Sequence, residues 1–122
     1  SIENYVIFPE GRVKVRTGLM WEPQVPKNSD FFVEAQIRPR SGMALNDGIT
    51  VLNSPGTIDQ NYRGEICVIL YNSSNHEFKI EEGQRIAQLV FKKVPKFEVY
   101  WDIIDMKATV NRNGGFGSTG NK

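Results

Sequence analysis

One cysteine and one histidine in 122 residues leave little material for several common chemistries. Cys67 has no partner for an internal disulfide, and its setting in Ile66-Cys67-Val68-Ile69-Leu70 reads as a small buried thiol in a reducing, intracellular, hence cytoplasmic, protein. His76 stands in a polar turn, so a His-based triad or metal cluster has no second member. An excess of one charge is also missing. Lys and Arg number 15 against 14 for Asp and Glu, which gives no general attraction to nucleic acid or an acidic membrane, so any anion site must be local. No stretch approaches the roughly 20 apolar residues of a membrane span, and Ser1-Ile2-Glu3-Asn4 lacks the basic and apolar regions of a secretion signal. Long helical periodicity is absent as well.

What the chain does have is short β-rich runs at regular spacing: Tyr5–Phe8, Arg12–Thr17, Phe31–Arg38, Gly48–Leu52, Glu65–Tyr71, Glu77–Ile80, Arg85–Lys92 and Phe97–Trp101. Turn chemistry separates most of them, including Pro9-Glu10-Gly11, Asn53-Ser54-Pro55-Gly56 and Glu81-Glu82-Gly83. This spacing predicts one all-β sandwich or barrel. Arg12 to Arg16 alternates strictly and has one wet face, whereas Ile66 to Leu70 is apolar on both faces and belongs at the centre of a sheet or at a subunit contact. A domain this small leaves much of its surface exposed unless it associates. The last twelve residues, 111–122, have Phe116 as their one apolar side chain and cannot fold by burying themselves.

Chemistry concentrates in Gly56-Thr57-Ile58-Asp59-Gln60-Asn61-Tyr62-Arg63-Gly64-Glu65-Ile66, read as a turn that presents a carboxylate and a phenol before entering a strand. An ionised Asp59 there can orient and deprotonate a water, although an Asp in a turn also commonly caps its own backbone. Tyr62 can face the same concave surface or simply pack in the core. Arg40-Ser41-Gly42 and Gln88 supply a guanidinium and neutral donors suited to phosphate, while an isolated Arg-Ser-Gly is also an ordinary surface turn. Arg63 and Arg85 read as members of structural ion pairs. The terminal Gly-rich stretch can wrap an anion with its N–H groups and the Ser118 and Thr119 hydroxyls, or be a disordered terminus. It is not a Walker A loop, since Asn121 stands where that pattern needs Lys.

Taken in order, Arg40-Ser41-Gly42, the Asp59–Tyr62 segment, Gly83-Gln84-Arg85-Ile86-Ala87-Gln88-Leu89 and Gly115-Phe116-Gly117-Ser118-Thr119-Gly120 resemble successive motifs of the trimeric dUTPases, a likeness running from about Val13 to the C-terminus. The resemblance implies a distorted jelly-roll or β-clip barrel over residues 1–110, assembled as a homotrimer with shared active sites, and a flexible arm, 111–122, that closes over substrate. It implies hydrolysis of dUTP to dUMP and diphosphate, which keeps uracil out of DNA and supplies dUMP for thymidylate synthesis. Asp59 would hold the water that attacks the α-phosphorus, and Tyr62 would pack beneath the deoxyribose and refuse a 2′-hydroxyl by sterics. Asn53 and the backbone of Thr57, Ile58 and Cys67 would read the uracil edge. Arg40, Ser41, Gly42 and Gln88 would handle phosphates, and Phe116 would stack on uracil beside Gly117, Ser118 and Thr119. Mg²⁺ would be chelated mainly by the substrate's own oxygens and water.

Two departures qualify the match. The family's first motif, Ala-Gly-x-Asp-Leu, would fall just upstream of Ser1, so the natural chain is expected to begin earlier. Where the family's tail carries Arg this chain has Asn111, with Arg112 one residue closer to Phe116 and able to serve the γ-phosphate from a flexible loop. These departures motivate a rival reading, a non-catalytic regulatory or binding protein on the same scaffold. A dCTP deaminase-like enzyme would share the fold too.

Overall fold

Alternating and β-branched runs become strands wherever a partner can cover their apolar side, and eight strands form in the computed structural model, which describes residues 1–104. In chain order these are β1 (Tyr5–Ile7), β2 (Arg12–Leu19), β3 (Phe31–Arg38), a short helix α1 (Ser41–Asp47), β4 (Ile49–Val51), β5 (Gly56–Asp59), β6 (Ile66–Asn72), β7 (Phe78–Ile80) and β8 (Gln88–Pro95). They pair antiparallel in three sheets, β1-β7, β2-β6-β4 and β5-β3-β8. The architecture is mostly β, as the turn spacing predicts. Among the described residues, no helix is long and apolar enough to cross a membrane.

β6 is the central strand of its sheet and shows why an unbroken apolar run suits that place. Ile66, Val68 and Leu70 point into the core at 4% exposure or less, while Cys67, Ile69 and Tyr71 line the opposite, half-covered face. β2 covers that core with Val15 and turns Arg12, Lys14 and Arg16 outward. Ala35 and Ile37 of β3 and Ile58 of β5 close the core from the other sheet, with Ile7 and Ile80 at one end. Among the described residues Asn72 is the buried polar exception, and its whole amide is satisfied. It donates to the carbonyls of Ile7 (2.9 Å) and His76 (2.7 Å) and accepts from the N–H (2.9 Å) and hydroxyl (2.7 Å) of Ser74, stitching β1 to the loop after β6.

Several elements differ from the sequence reading. Gly56–Asp59 is a strand, not a turn, because Thr57 and Ile58 alternate out and in against β3, with Gly56 opposite Ile37 and Asp59 opposite Glu34. The last strand starts at Gln88 rather than Arg85 and runs on to Pro95, held along its length by β3. Phe97–Trp101 forms no strand: β-propensity needs a partner, none is supplied by the described residues, and Phe97, Val99 and Trp101 are exposed. Helix α1 carries no amphipathic signature in the sequence, because only Met43 is buried and no 3.6-residue apolar stripe exists. Gly48 ends it in the left-handed conformation (φ 68°), its N–H returned to the carbonyl of Ala44.

Candidate active site

β5 delivers Asp59 at its last residue, and the chain then turns tightly, the Tyr62 N–H bonding the Asp59 carbonyl at 3.0 Å. One carboxylate oxygen, Oδ2, accepts the Asn61 N–H at 2.9 Å. Asp59 therefore does cap its own turn, but with one oxygen only; among the described residues Oδ1 has no hydrogen-bond partner. A carboxylate pinned by one oxygen and open at the other is oriented and still able to hold a water. Arg63 braces the same turn, its Nη1 donating to the carbonyls of Gln60 (2.7 Å), Tyr62 (3.2 Å) and Trp21 (3.5 Å). The ion pairs expected for Arg63 and Arg85 do not form among the described residues. Backbone carbonyls, left over where a turn breaks the ladder, satisfy the Arg63 guanidinium instead.

Tyr62 lies back over Gly64. A side chain at Gly64 would place its Cβ 2.5 Å from the Tyr62 hydroxyl and 2.7 Å from Cζ, so the ring occupies the space that only glycine leaves open. The hydroxyl donates to the Glu65 carbonyl at 2.9 Å. Asp59, Tyr62, Asn53, Thr57, Ile58 and Cys67 all line one cavity of about 560 Å³ between β5 and the outer face of β6. Asn53 sits against Gly56, with its Nδ2 3.4 Å from where a Cβ would lie. Cys67 corrects the expectation of a buried thiol: the period-two alternation that sends Ile66 and Val68 inward leaves Cys67 half-buried on the cavity wall.

The phosphate candidates form a second, separate group. Arg40 Nη1 donates to the Arg85 carbonyl (3.2 Å) and Gln88 Nε2 to the Pro39 carbonyl (2.9 Å), which ties the entry to α1 to the start of β8. Ser41 and Gly42 open α1 beside them and are exposed. None of these four lines the Asp59 cavity. Asp59 faces Glu34 on one flank of β3, and Gln88 faces Arg38 on the other. Strand spacings put their Cα atoms roughly 16 Å apart, with the bonded row Glu34–Gln36–Arg38 between. Arg112, Phe116, Gly117, Ser118 and Thr119, with the arm 111–122, lie outside the described residues.

Sequence reasoning passed over Glu65 and Lys14, which also line the cavity. Glu65 stands inside the Asp59 motif, so the signal was present. Its carboxylate accepts the Gly18 N–H (2.9 Å) and Arg16 Nε (3.0 and 3.3 Å). The Gly18 N–H, then Arg16, hold the Glu65 carboxyl below its ordinary value of 4.5. A depressed folded value stabilises the fold fully above 4.5, and that contribution disappears as pH falls through the folded value. Urea midpoints measured from neutral to acidic pH are therefore expected to fall less steeply below 4.5 in Glu65→Gln than in the parent, and identical slopes would count against the linkage.

Comparison with known proteins gives one answer. The family model described as dUTPase matches residues 1–120. The deoxyuridine 5′-triphosphate nucleotidohydrolase of Hydrogenobaculum sp. is 55% identical over 117 residues, 96% of this chain and 76% of that protein. The enzyme of the same name from Clostridium novyi is 48% identical over 120 residues, 98% of this chain and 80% of its own. Among solved structures, the dUTPase from Streptococcus mutans superposes with a TM-score of 0.65 at 25% identity, over 80% of this chain and 76% of that one. With a family model spanning nearly every residue and relatives identical at about half of all positions, this chain belongs to the dUTPase family.

Proposed function

We propose that the protein is a dUTP diphosphatase that converts dUTP and water to dUMP and diphosphate. The observation that carries this reading is the cavity wall shared by Asp59, with one carboxylate oxygen open, and by Tyr62 and Asn53. A water on Asp59 Oδ1 attacks the α-phosphorus and loses its proton to the carboxylate. The bond from that phosphorus to the bridging oxygen breaks, and the electron pair leaves with diphosphate. Uracil sits between β5 and the face of β6, where Asn53 and the backbone of Thr57, Ile58 and Cys67 meet its polar edge. Cytosine presents the opposite donor and acceptor pattern there, and each buried group left unpaired costs about 1–3 kcal/mol. Tyr62 is the floor beneath the sugar.

Mg²⁺ would be held mainly by the substrate's own phosphate oxygens and water, and would supply charge neutralisation at the phosphates. Among the described residues no three His, Cys, Asp or Glu side chains come together. The roughly 16 Å between Asp59 and Gln88 supports a homotrimer, in which the Arg40, Ser41, Gly42 and Gln88 group of one copy faces the Asp59 cavity of another. Exposed Phe91, Phe97 and Trp101 supply apolar surface for such contacts. Arg112, Phe116, Gly117, Ser118 and Thr119 then complete the pocket over bound nucleotide.

The decisive measurement is diphosphate release from dUTP, dTTP, dCTP and UTP in parallel, with and without Mg²⁺. Turnover of dUTP alone, and only with Mg²⁺, is expected. Ammonia from dCTP would identify a deaminase, and binding of dUTP without turnover would identify a non-catalytic protein.

A further inference from the structure

Tyr62 is 45% exposed, so packing alone does not fix its ring. Its one polar tether is the bond from the phenol to the Glu65 carbonyl at 2.9 Å, among the described residues. That carbonyl belongs to the residue whose carboxylate is the most firmly held near the cavity. Glu65 accepts the Gly18 N–H and two contacts from Arg16 Nε, and Arg16 Nη1 is in turn held by Glu3 at 2.9 Å. The Glu3 carboxylate also accepts the Tyr5 hydroxyl at 2.9 Å, and that hydroxyl accepts the Arg16 N–H at 3.0 Å. An unbroken series of bonds thus runs from β1 through the bulge at Gly18 in β2 to the residue that receives the Tyr62 phenol.

We propose that Glu65 is a positioning residue for sugar selection: by anchoring its own backbone to Arg16 and Gly18, it sets the height of the Tyr62 ring over Gly64 and so the clearance beneath the sugar's C2′. The proposal rests on Tyr62 being the floor under the sugar. Glu65 itself touches no substrate in this assignment. Its carboxylate is directed at β2, and the distance that matters is the one its carbonyl imposes on the phenol.

The test compares kcat/KM for dUTP and UTP in Tyr62→Ala, Tyr62→Phe, Glu65→Ala, Glu65→Gln and the double variant Tyr62→Phe/Glu65→Ala, with thermal stability recorded on each. Loss of one tethering hydrogen bond is expected to lower the dUTP-to-UTP ratio about three- to tenfold in Tyr62→Phe and in Glu65→Ala. The double variant should be no worse than either single one, since both cut the same tether. Glu65→Gln, which keeps the shape and one acceptor, should recover part of the ratio. A loss in Glu65→Ala that is equal for both substrates, alongside a ratio collapsed in Tyr62→Ala, would overturn the proposal and leave the sugar floor standing. A ratio unchanged in Tyr62→Ala would remove the floor, and the positioning role with it. Should Glu65→Ala fail to fold, Tyr62→Phe and Glu65→Gln decide: an unchanged ratio in both overturns the proposal.

Discussion

Asp59→Asn is expected to reduce dUTP turnover by about 10²–10⁴-fold, roughly 3–5 kcal/mol of barrier, with little loss of nucleotide affinity. The substitution can keep the Oδ2 acceptor that the Asn61 N–H uses, so the turn after β5 persists. It replaces the open oxygen with an amide that cannot take a proton. Affinity for a non-hydrolysable dUTP analogue with Mg²⁺ should hold, because phosphate contacts are assigned to Arg40, Ser41, Gln88 and the arm. Affinity can even tighten, since one negative charge near the phosphates is gone. Turnover within about threefold of the parent, far short of the general-base range, would show that Asp59 does not activate the water.

Deleting residues 111–122 is the other change of large expected effect. Turnover should fall by about 10²-fold or more, the scale on which loss of positioning and closure is felt. Oligomeric state and thermal stability should barely move, because this segment has Phe116 as its one apolar side chain and little to contribute to a core. Sedimentation and kinetics on the same preparation separate the two roles. Dissociation into unfolded chains would make 111–122 a structural element.

What the sequence made legible was whatever repeats with a short period or sits in a compact motif. The alternation of Arg12 to Arg16 gave β2 its wet face, and the apolar run at Ile66 to Leu70 gave β6 its central place. Family membership was legible in four short motifs. Less visible was anything decided by a distant partner. Gly56–Asp59 is a strand because β3 pairs with it, and Phe97–Trp101 is not one because nothing described pairs with it. Cys67 lies on the cavity wall because of which face of β6 the other sheet leaves uncovered. Arg63 looked like half of an ion pair, since sequence reveals charges but not the stranded carbonyls of Trp21, Gln60 and Tyr62. Motif order likewise concealed that Gln88 and Asp59 end on opposite flanks of β3.

The strand pairing carries a consequence for how the chain is made. Tyr5 pairs with Ile80 and Arg12 with Tyr71, so β1 and β2 wait for partners from the far half of the chain, while β3 can meet β5 early but waits for β8, Phe31 against Pro95, on its other edge. A ribosome delivers β1, β2 and β3 well before β6, β7 and β8, and apolar edges such as Val13 and Val15 then have no sheet to join. Long-range antiparallel pairing of this kind is slow and leaves strand edges open to other chains. Synthesis must therefore pass Pro95 before β8 can close against β3, and until then the nascent protein depends on whatever shields its unpaired edges.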